Sequence, residues 1–230
     1  MRYRLLTLIG AAAMLAGCAT RPAPTPAQQA CRSLPALVTA KQYQAEVTQA
    51  ELCLGNPALP PAARALVLSL QADGYTNLKR YPEAIAAKRA SIEVAPPANG
   101  WATLELSRIY TESGNYAEAL KLVQANLDQG LGEAGKGRGF NMPTYYHMGR
   151  ALNGLQRYHE AAEALSAGLI KQPGYAWAYY SRALAYEGLG ERAEAKADLQ
   201  RYSERLNGAA IGADEQATLQ RFGLPLPPAH

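Results

Sequence analysis

The side chains with the greatest capacity for chemistry are few, and they form no catalytic set. The 230-residue chain has three histidines, at His147, His159 and His230. None of them stands at metal-ligand spacing from a cysteine or an acid, and no GxSxG sequence marks a nucleophile. The sequence therefore predicts a protein that is not an enzyme and that needs neither a metal nor another cofactor.

A cysteine near the start of the chain suggests a different chemistry, lipid attachment. Two arginines precede an apolar run over residues 5–16, which is too short to span a bilayer and is typical of a secretory signal. The run ends in Leu15-Ala16-Gly17-Cys18, which resembles a bacterial lipobox. The resemblance implies cleavage before Cys18 and its acylation, for example with palmitate. The alternative is a general secretory signal beside an ordinary cysteine.

The rest of the chain is organised by a repeat of about 34 residues. Residues 142–174 are predicted to form two consecutive helices, each with one apolar face, and Pro173 ends the second helix. A shift of one period aligns Gly149 with Ala183 and Ala161 with Ala195, small residues that let two helices approach closely. This order of large, small and aromatic residues resembles the tetratricopeptide repeat (TPR). The resemblance implies an all-α fold, a superhelical solenoid of antiparallel helix hairpins with a C-terminal capping helix.

The repeat divides the chain into four predicted parts. They are a lipoprotein signal peptide over 1–18, a proline-rich tether over 19–29, a TPR array over 30–208, and a capping helix with a proline-rich tail over 209–230. Residues 30–54 form a degenerate first hairpin, and about four clear or near-clear repeats follow from residue 65. Ile211, Leu219 and Phe222 are expected to cover the apolar end of the array. The alternative for this last helix is docking to another protein.

A glycine-rich run interrupts the period over residues 129–139. It contains five glycines together with Lys136 and Arg138. The spacing of a phosphate-binding loop is absent, and no predicted strand precedes the run. We expect a flexible loop between two repeats, and such insertions often lie near a binding surface.

The two remaining cysteines fall at adjoining ends of the degenerate hairpin. Cys31 lies near the start of its first helix and Cys53 near the end of its second. A disulfide is expected in an oxidising compartment, and in the chain-entropy model it adds about 3 kcal/mol of stability. Two buried free thiols are the alternative.

The resemblance also implies a binding surface, because the first helix of each repeat lines the concave face of a TPR array. Aromatic residues and arginine are enriched where proteins bind one another. Arg150 is expected one turn from Tyr146 and facing Tyr180. Packing between repeats is the alternative for Trp101 and Trp177. The predicted partner-binding positions are Trp101, Glu105, Arg108, Tyr146, His147, Arg150, Asn153, Trp177, Tyr180 and Glu187, with Asp73, Thr76, Asn77, Leu104, Glu112 and Ser181 on the same face.

The predicted lipid anchor at Cys18 and the predicted TPR array together indicate a function. TPR lipoproteins with this layout include pilotins, assembly factors of type IV and tight-adherence pili, and adaptors that recruit peptidoglycan hydrolases. The resemblance implies a membrane-anchored scaffold that binds a protein or peptide partner in the cell envelope. Because Ala19 rather than an aspartate follows Cys18, we expect sorting to the outer membrane, with the array facing the periplasm. The alternative is a structural lipoprotein that associates with itself.

Two classes of partner are disfavoured. The formal net charge is +4, and two of these units come from the leader, which is too little to indicate nucleic-acid binding. In chaperone-binding TPR domains, lysines and asparagines clamp a terminal carboxylate. Here the corresponding places hold Ser69, Asp73, Leu104, Arg108, Tyr146 and Arg150, which argues against such a clamp.

Overall fold

The computed structural model describes residues 23–96, 100–128, 141–206 and 209–227, and within them it contains eleven α-helices and no strand. The predicted all-α class is thereby confirmed for this part of the chain. The helices, in order, are α1 (Pro26–Thr39), α2 (Tyr43–Leu54), α3 (Pro61–Asn77), α4 (Tyr81–Val94), α5 (Trp101–Glu112), α6 (Tyr116–Asp128), α7 (Asn141–Gly154), α8 (Tyr158–Lys171), α9 (Ala176–Leu189), α10 (Arg192–Arg205) and α11 (Ala213–Arg221).

Helix α1 begins earlier than the sequence suggested. Thr25 Oγ1 accepts a hydrogen bond from the Gln28 backbone N–H, and Gln28 Oε1 accepts one from the Thr25 N–H. This reciprocal cap satisfies two donors at the helix start, and Pro26 occupies the first turn, where a proline costs no hydrogen bond. Residues 26–29 are therefore helical, although they were predicted to belong to the tether.

Helices α1 to α10 form five antiparallel hairpins that share one turn geometry. Each hairpin turns through a residue with a positive φ, between 54° and 79°. Glycine adopts this conformation freely, whereas a residue with a side chain pays roughly 1–2 kcal/mol. Since three of the five are not glycine, helix packing must impose the turn. These turn residues are Lys41, Lys79, Gly114, Gln156 and Gly190.

The turn residues give a common frame, in which the small residues recur. Seven positions before the turn stand Ala72, Ser107, Gly149 and Ala183, and five positions after it stand Ala84, Ala119, Ala161 and Ala195. All eight are buried. A Cβ atom added to Gly149 would lie 2.4 Å from Leu165 Cγ. The close helix approach expected at Gly149 and Ala161 is present.

The first hairpin departs from this frame, which explains why it looked degenerate. Leu34 and Glu46 occupy the two positions that are small in the other hairpins. Glu46 is only 1% exposed, and burial raises the pKa of its carboxyl, with nearby Asp73 adding to the effect. A disulfide joins Cys31 to Cys53, with their Cα atoms 4.7 Å apart, and so links α1 to the end of α2.

Neighbouring hairpins stack so that their first helices line one surface, with α7 in contact with both α5 and α9. At the C-terminal end α11 covers the last hairpin. Leu219 is fully buried and Phe222 is 4% exposed, and both join the cluster around Tyr202 and Leu206. The predicted capping helix is therefore confirmed, because it removes an apolar face that the last repeat would otherwise expose.

A buried ion pair ties α9 to α10. Asp198 is 1% exposed, and its Oδ2 and Oδ1 accept hydrogen bonds from Arg182 Nε at 2.6 Å and Nη2 at 2.9 Å. Arg182 Nη1 also donates to Ser166 Oγ of α8, and Arg201 donates to Asp198 Oδ1. Both carboxylate oxygens are thus satisfied, as a buried charge requires.

A candidate partner-binding groove

The concave surface has two halves, which differ in how their charges are satisfied. We name the part formed by α3, α5 and Lys88 of α4 the closed half. In it, Arg108 Nη2 donates to Asp73 Oδ1 of the preceding repeat, and Nη1 donates to Glu112 Oε1, each at 3.0 Å. Arg108 was predicted to bind a partner, but its guanidinium is already bound between two carboxylates.

A second network in the closed half surrounds a buried lysine. Lys88 is 2% exposed and stands nine positions after its turn residue, where the later hairpins have Val123, Leu165 and Leu199. Its ammonium group donates to the carboxylate of Glu105 and to Ser69 Oγ. Trp101 Nε1 donates to the other oxygen of Glu105 at 3.2 Å. The predicted groove residue Glu105 therefore neutralises the buried charge of Lys88, and Trp101 holds that carboxylate through its indole N–H.

The open half, formed by α7, α9 and α11, contains a cavity of about 630 Å³. Its lining includes five residues predicted from the sequence: Tyr146, Arg150, Asn153, Trp177 and Tyr180. It also includes Ser181, which shared the predicted face, and six residues that were not predicted: Thr111, Tyr116, Gly154, Leu184, Asp214 and Glu215. Tyr116 reaches the cavity because Gly154 leaves room for its ring, since a Cβ there would lie 2.3 Å from a ring carbon.

Aromatic rings form the floor of this cavity. Trp177 and Tyr180 both pack on the fully buried Tyr202, with ring centroids 5.3 and 5.2 Å apart, and Tyr146 packs on Tyr175 at 5.4 Å. Burial raises the pKa of Tyr175 to about 12, so its hydroxyl stays neutral. Tyr175 and Tyr202 lie outside the first-helix face and were not predicted. The cluster fixes the rings that face the cavity.

Arg150 differs from Arg108 although both stand six positions before a turn residue. In this frame the repeat before Arg108 supplies Asp73, whereas the repeats flanking Arg150 supply Arg108 and Leu184. Accordingly, Arg150 makes no ion pair with any described residue. Its guanidinium lies over the Tyr146 ring, 5.6 Å from the centroid. The positive charge of Arg150 is thus held in place and left without a carboxylate.

Asn153 joins α7 to α9 beside the cavity. Its Nδ2 donates to the Ser181 carbonyl at 2.7 Å and approaches Ser181 Oγ at 3.3 Å. Its Oδ1 is buried and has no hydrogen-bond partner in the part of the chain that the structure describes. The amide is therefore fixed through its donor group, and its buried oxygen is not exposed to the cavity.

Helix α11 supplies the remaining wall. Arg221 donates to both oxygens of Glu187, at 2.9 and 2.8 Å, and the hydroxyls of Tyr180 and Thr218 lie 3.3 Å apart. Glu187 was predicted to face a partner, but it pairs with the capping helix instead. Asp214 and Glu215, in the first turn of α11, line the cavity and form no ion pair with the described residues.

His147 lies on α7 at the junction of the two halves. Burial lowers the pKa of its imidazole to about 3, and the positive charges of Arg150 and Arg108 add to the shift. Its Nδ1 has no hydrogen-bond partner within the described ranges. His147 is therefore neutral at physiological pH, and although it was predicted to bind a partner, it is not among the residues that line the cavity.

Several further predictions are wrong or fall beyond the described ranges. Leu104 and Thr76 were placed on the exposed groove face, yet both are buried by packing between helices. Asn77 is exposed, and its amide donates to the Asp73 carbonyl. Cys18, His230 and the glycine-rich run lie outside the residues that the structure describes. Among those that it does describe, no group of three His, Cys, Asp or Glu side chains could bind a metal ion. No described helix combines the length and hydropathy needed to cross a membrane.

Comparison with known proteins identifies the repeat and the fold. Residues 178–205 match the family model for the tetratricopeptide repeat. The structure is similar to PilW, a widely conserved type IV pilus biogenesis factor, at 15% identity with a TM-score of 0.67, over 87% of this chain and 86% of PilW. It is similar to MamA from Desulfovibrio magneticus RS-1, residues 41 to the end, at 12% identity with a TM-score of 0.62, over 82% of this chain and 99% of that one.

A third similar structure is YrrB, a TPR protein with an unusual peptide-binding site. It is 17% identical with a TM-score of 0.56, over 86% of this chain and 92% of YrrB. Comparison with the sequences of curated proteins gives no significant match. At these identities the structural likeness establishes a shared fold and nothing more.

Proposed function

The chain carries a tetratricopeptide repeat and folds as a TPR solenoid, and from this we propose that it is a membrane-anchored scaffold that binds a protein or peptide partner in the cell envelope. The observation that carries the proposal is the open half of the groove. There a cavity of about 630 Å³ combines an aromatic floor with charges that no described residue neutralises. Buried aromatic anchors beside unpaired polar groups are typical of surfaces at which proteins bind.

The machine that this scaffold serves is part of the same proposal. PilW is described as a pilus biogenesis factor and YrrB as having a peptide-binding site, and both share the fold of this chain. With their support we propose that the protein acts in the assembly of a pilus, a secretion system or a cell-wall machine, as a binding component that does no chemistry itself.

Anchoring at Cys18 is supported by the sequence ending Leu15-Ala16-Gly17-Cys18. Two or more acyl chains would hold the array at the outer membrane, facing the periplasm. The Cys18→Ser variant should remain unprocessed or leave the membrane fraction. If it still fractionates with membranes at the mature mass, lipid attachment at Cys18 is wrong.

The binding proposal is tested by photo-crosslinking in the native cells. A photoreactive phenylalanine analogue replaces Tyr180 in the cavity or, as the matched control, Glu163, which is exposed on α8. We expect a discrete adduct with a second protein from position 180 and none from position 163. Adding Arg150→Glu should remove the adduct.

Two results would overturn the proposal. Equal adducts from both positions would show that the groove is not the site. An adduct that survives Arg150→Glu would show that Arg150 does not bind the partner, and it would leave the groove as the site. An adduct between two copies of this chain would instead support the structural, self-associating alternative, which light scattering of the purified protein would then have to show as an oligomer.

A further inference from the structure

Positively and negatively charged side chains both line the cavity of the open half, and they belong to different helices. Arg150 comes from α7, while Asp214 and Glu215 come from the first turn of α11. These two helices flank α9, which supplies Trp177 and Tyr180 to the floor. A molecule that lies across α9 therefore meets a positive group on one side and two negative groups on the other.

The geometry points to one kind of occupant: an extended segment of the partner protein in which an acidic side chain and a lysine or arginine flank an apolar residue. This inference rests on the proposed function and names the chemistry of its partner. The acidic side chain binds Arg150, the basic one binds Asp214 and Glu215, and the apolar one packs on Trp177 and Tyr180. Helix α11 is then part of the binding site as well as the cap of the array.

The size of the cavity sets the spacing of the two charges in the bound segment. A cavity of about 630 Å³ that is equally wide in every direction measures roughly 9 Å across, and an extended chain crosses this distance in about three residues. For such a shape, the acidic and basic residues should be separated by about three positions.

The side chains of the site suit a peptide better than an uncharged ligand. The Arg150 guanidinium offers parallel N–H donors that match a carboxylate, and the Tyr146 ring holds it from below. A sugar without charges would stack on the aromatic floor but would leave Arg150, Asp214 and Glu215 without partners.

The inference is tested with synthetic peptides of about ten residues. One set carries a glutamate and a lysine at increasing separation around a central leucine, in both chain orders. Matched peptides carry two glutamates or two lysines. Fluorescence anisotropy is measured with the full chain purified in mild detergent. We expect the mixed-charge peptides at a separation of about three residues to bind at least tenfold more tightly than either matched set, and in one chain order.

A charge swap provides a readout that a damaged fold cannot imitate. In the variant Arg150→Glu with Asp214→Lys and Glu215→Lys, the positive and negative walls exchange places. The preferred peptide should then be the one with the opposite order of glutamate and lysine. The control variant Lys196→Glu with Glu163→Lys makes exposed reversals on α10 and α8, and it should keep the original preference.

Failure of this inference is distinct from failure of the proposed function. If the crosslink from position 180 forms but peptide binding ignores charge order, or if the swap leaves the preference unchanged, the charge pattern is wrong and the scaffold proposal stands. Binding of an uncharged glycan fragment in place of the peptides would also overturn it. If no crosslink forms and no peptide binds, both proposals fail.

Discussion

The two halves of the concave surface hold the same kinds of residue and use them differently. Arg108 and Arg150 occupy equivalent positions on α5 and α7. Arg108 is bound by Asp73 and Glu112, whereas Arg150 rests on an aromatic ring with no carboxylate beside it. The closed half joins repeats to one another, and the open half presents its charges to a cavity. In a repeat protein, position on the concave face is therefore not enough to identify a candidate binding residue. Whether its charge is already paired with another side chain must be known as well.

The unpaired charges of the open half must be compensated by stabilising contacts elsewhere in the fold. Unpaired charges around a cavity stabilise nothing by themselves, so the open half depends on packing beneath it. That packing includes the cluster around Tyr202 and the ion pair between Arg182 and Asp198. Rigid support under unsatisfied groups is what a preformed binding site requires.

The largest effect is expected from breaking this support. Asp198→Ala leaves the Arg182 guanidinium partly buried without its carboxylate, so we expect a loss of about 3–5 kcal/mol in the free energy of unfolding. Urea unfolding followed by circular dichroism measures it. Glu194→Ala, at an exposed site on α10, is the control and should change stability by less than about 0.5 kcal/mol. A similarly small loss for Asp198→Ala would show that the pair does not support the open half.

The matched pair Arg150→Ala and Arg108→Ala tests the comparison itself. Arg150→Ala should weaken partner binding by about 2 kcal/mol, close to 30-fold, with stability nearly unchanged. Arg108→Ala should do the reverse, leaving binding intact and lowering stability by up to about 1 kcal/mol, because its ion pairs are partly exposed. Titration calorimetry with the captured partner and thermal unfolding give the two quantities. Equal effects of the two variants on binding would erase the distinction between the halves.

A substitution in the first hairpin, away from the cavity, should raise stability without affecting partner binding. Glu46 occupies a position that is a fully buried alanine in the other four hairpins, and burial raises the pKa of its carboxyl. A raised pKa means that ionisation opposes folding, so stability is lost as the pH rises through the folded pKa. Glu46→Ala should therefore raise stability at neutral pH by about 1 kcal/mol and leave binding unchanged. A lower melting temperature would mean that the carboxylate has a favourable role here.

The effect that is smallest at neutral pH concerns His147, between the two halves. Its folded pKa of about 3 lies below the ordinary histidine pKa of 6.5, so between these values the unfolded chain takes up a proton that the folded one does not. Stability should fall as the pH decreases through this window, and His147→Gln should make that fall shallower. Urea midpoints measured from pH 6.5 downward compare the two proteins. Parallel profiles would show that His147 is not held neutral by the fold.

Periodicity was enough to predict the hairpins and the small residues at Gly149 and Ala161, whereas the face that lines the groove was implied by the resemblance to the tetratricopeptide repeat. These features depend on local spacing, which the repeat fixes. Equivalent positions in adjacent repeats become neighbours in space. The same frame could therefore have revealed that the repeat before Arg108 supplies Asp73 at the equivalent position, whereas the repeat before Arg150 supplies no acid there. The distinction between the halves was thus present in the sequence but required comparison across repeats.

Other features could not be obtained in this way. Two such features depend on how α11 folds back against α9. Asp214 and Glu215 line the cavity, and Glu187 forms an ion pair with Arg221. Capping helices lie outside the repeat, so its period does not place them. Lys88 likewise occupies a core position, and only the positions of Glu105 and Ser69 show how its charge is satisfied.

Hydrogen–deuterium exchange of the full chain with and without the captured partner tests the central claim most directly, since bound helices open less often. The account predicts slower exchange in α7, α9 and α11 on binding and no change in α3 or in the part of α5 that precedes Thr111. Protection centred on α3 and α5, or on α4, α6 and α8, would contradict it.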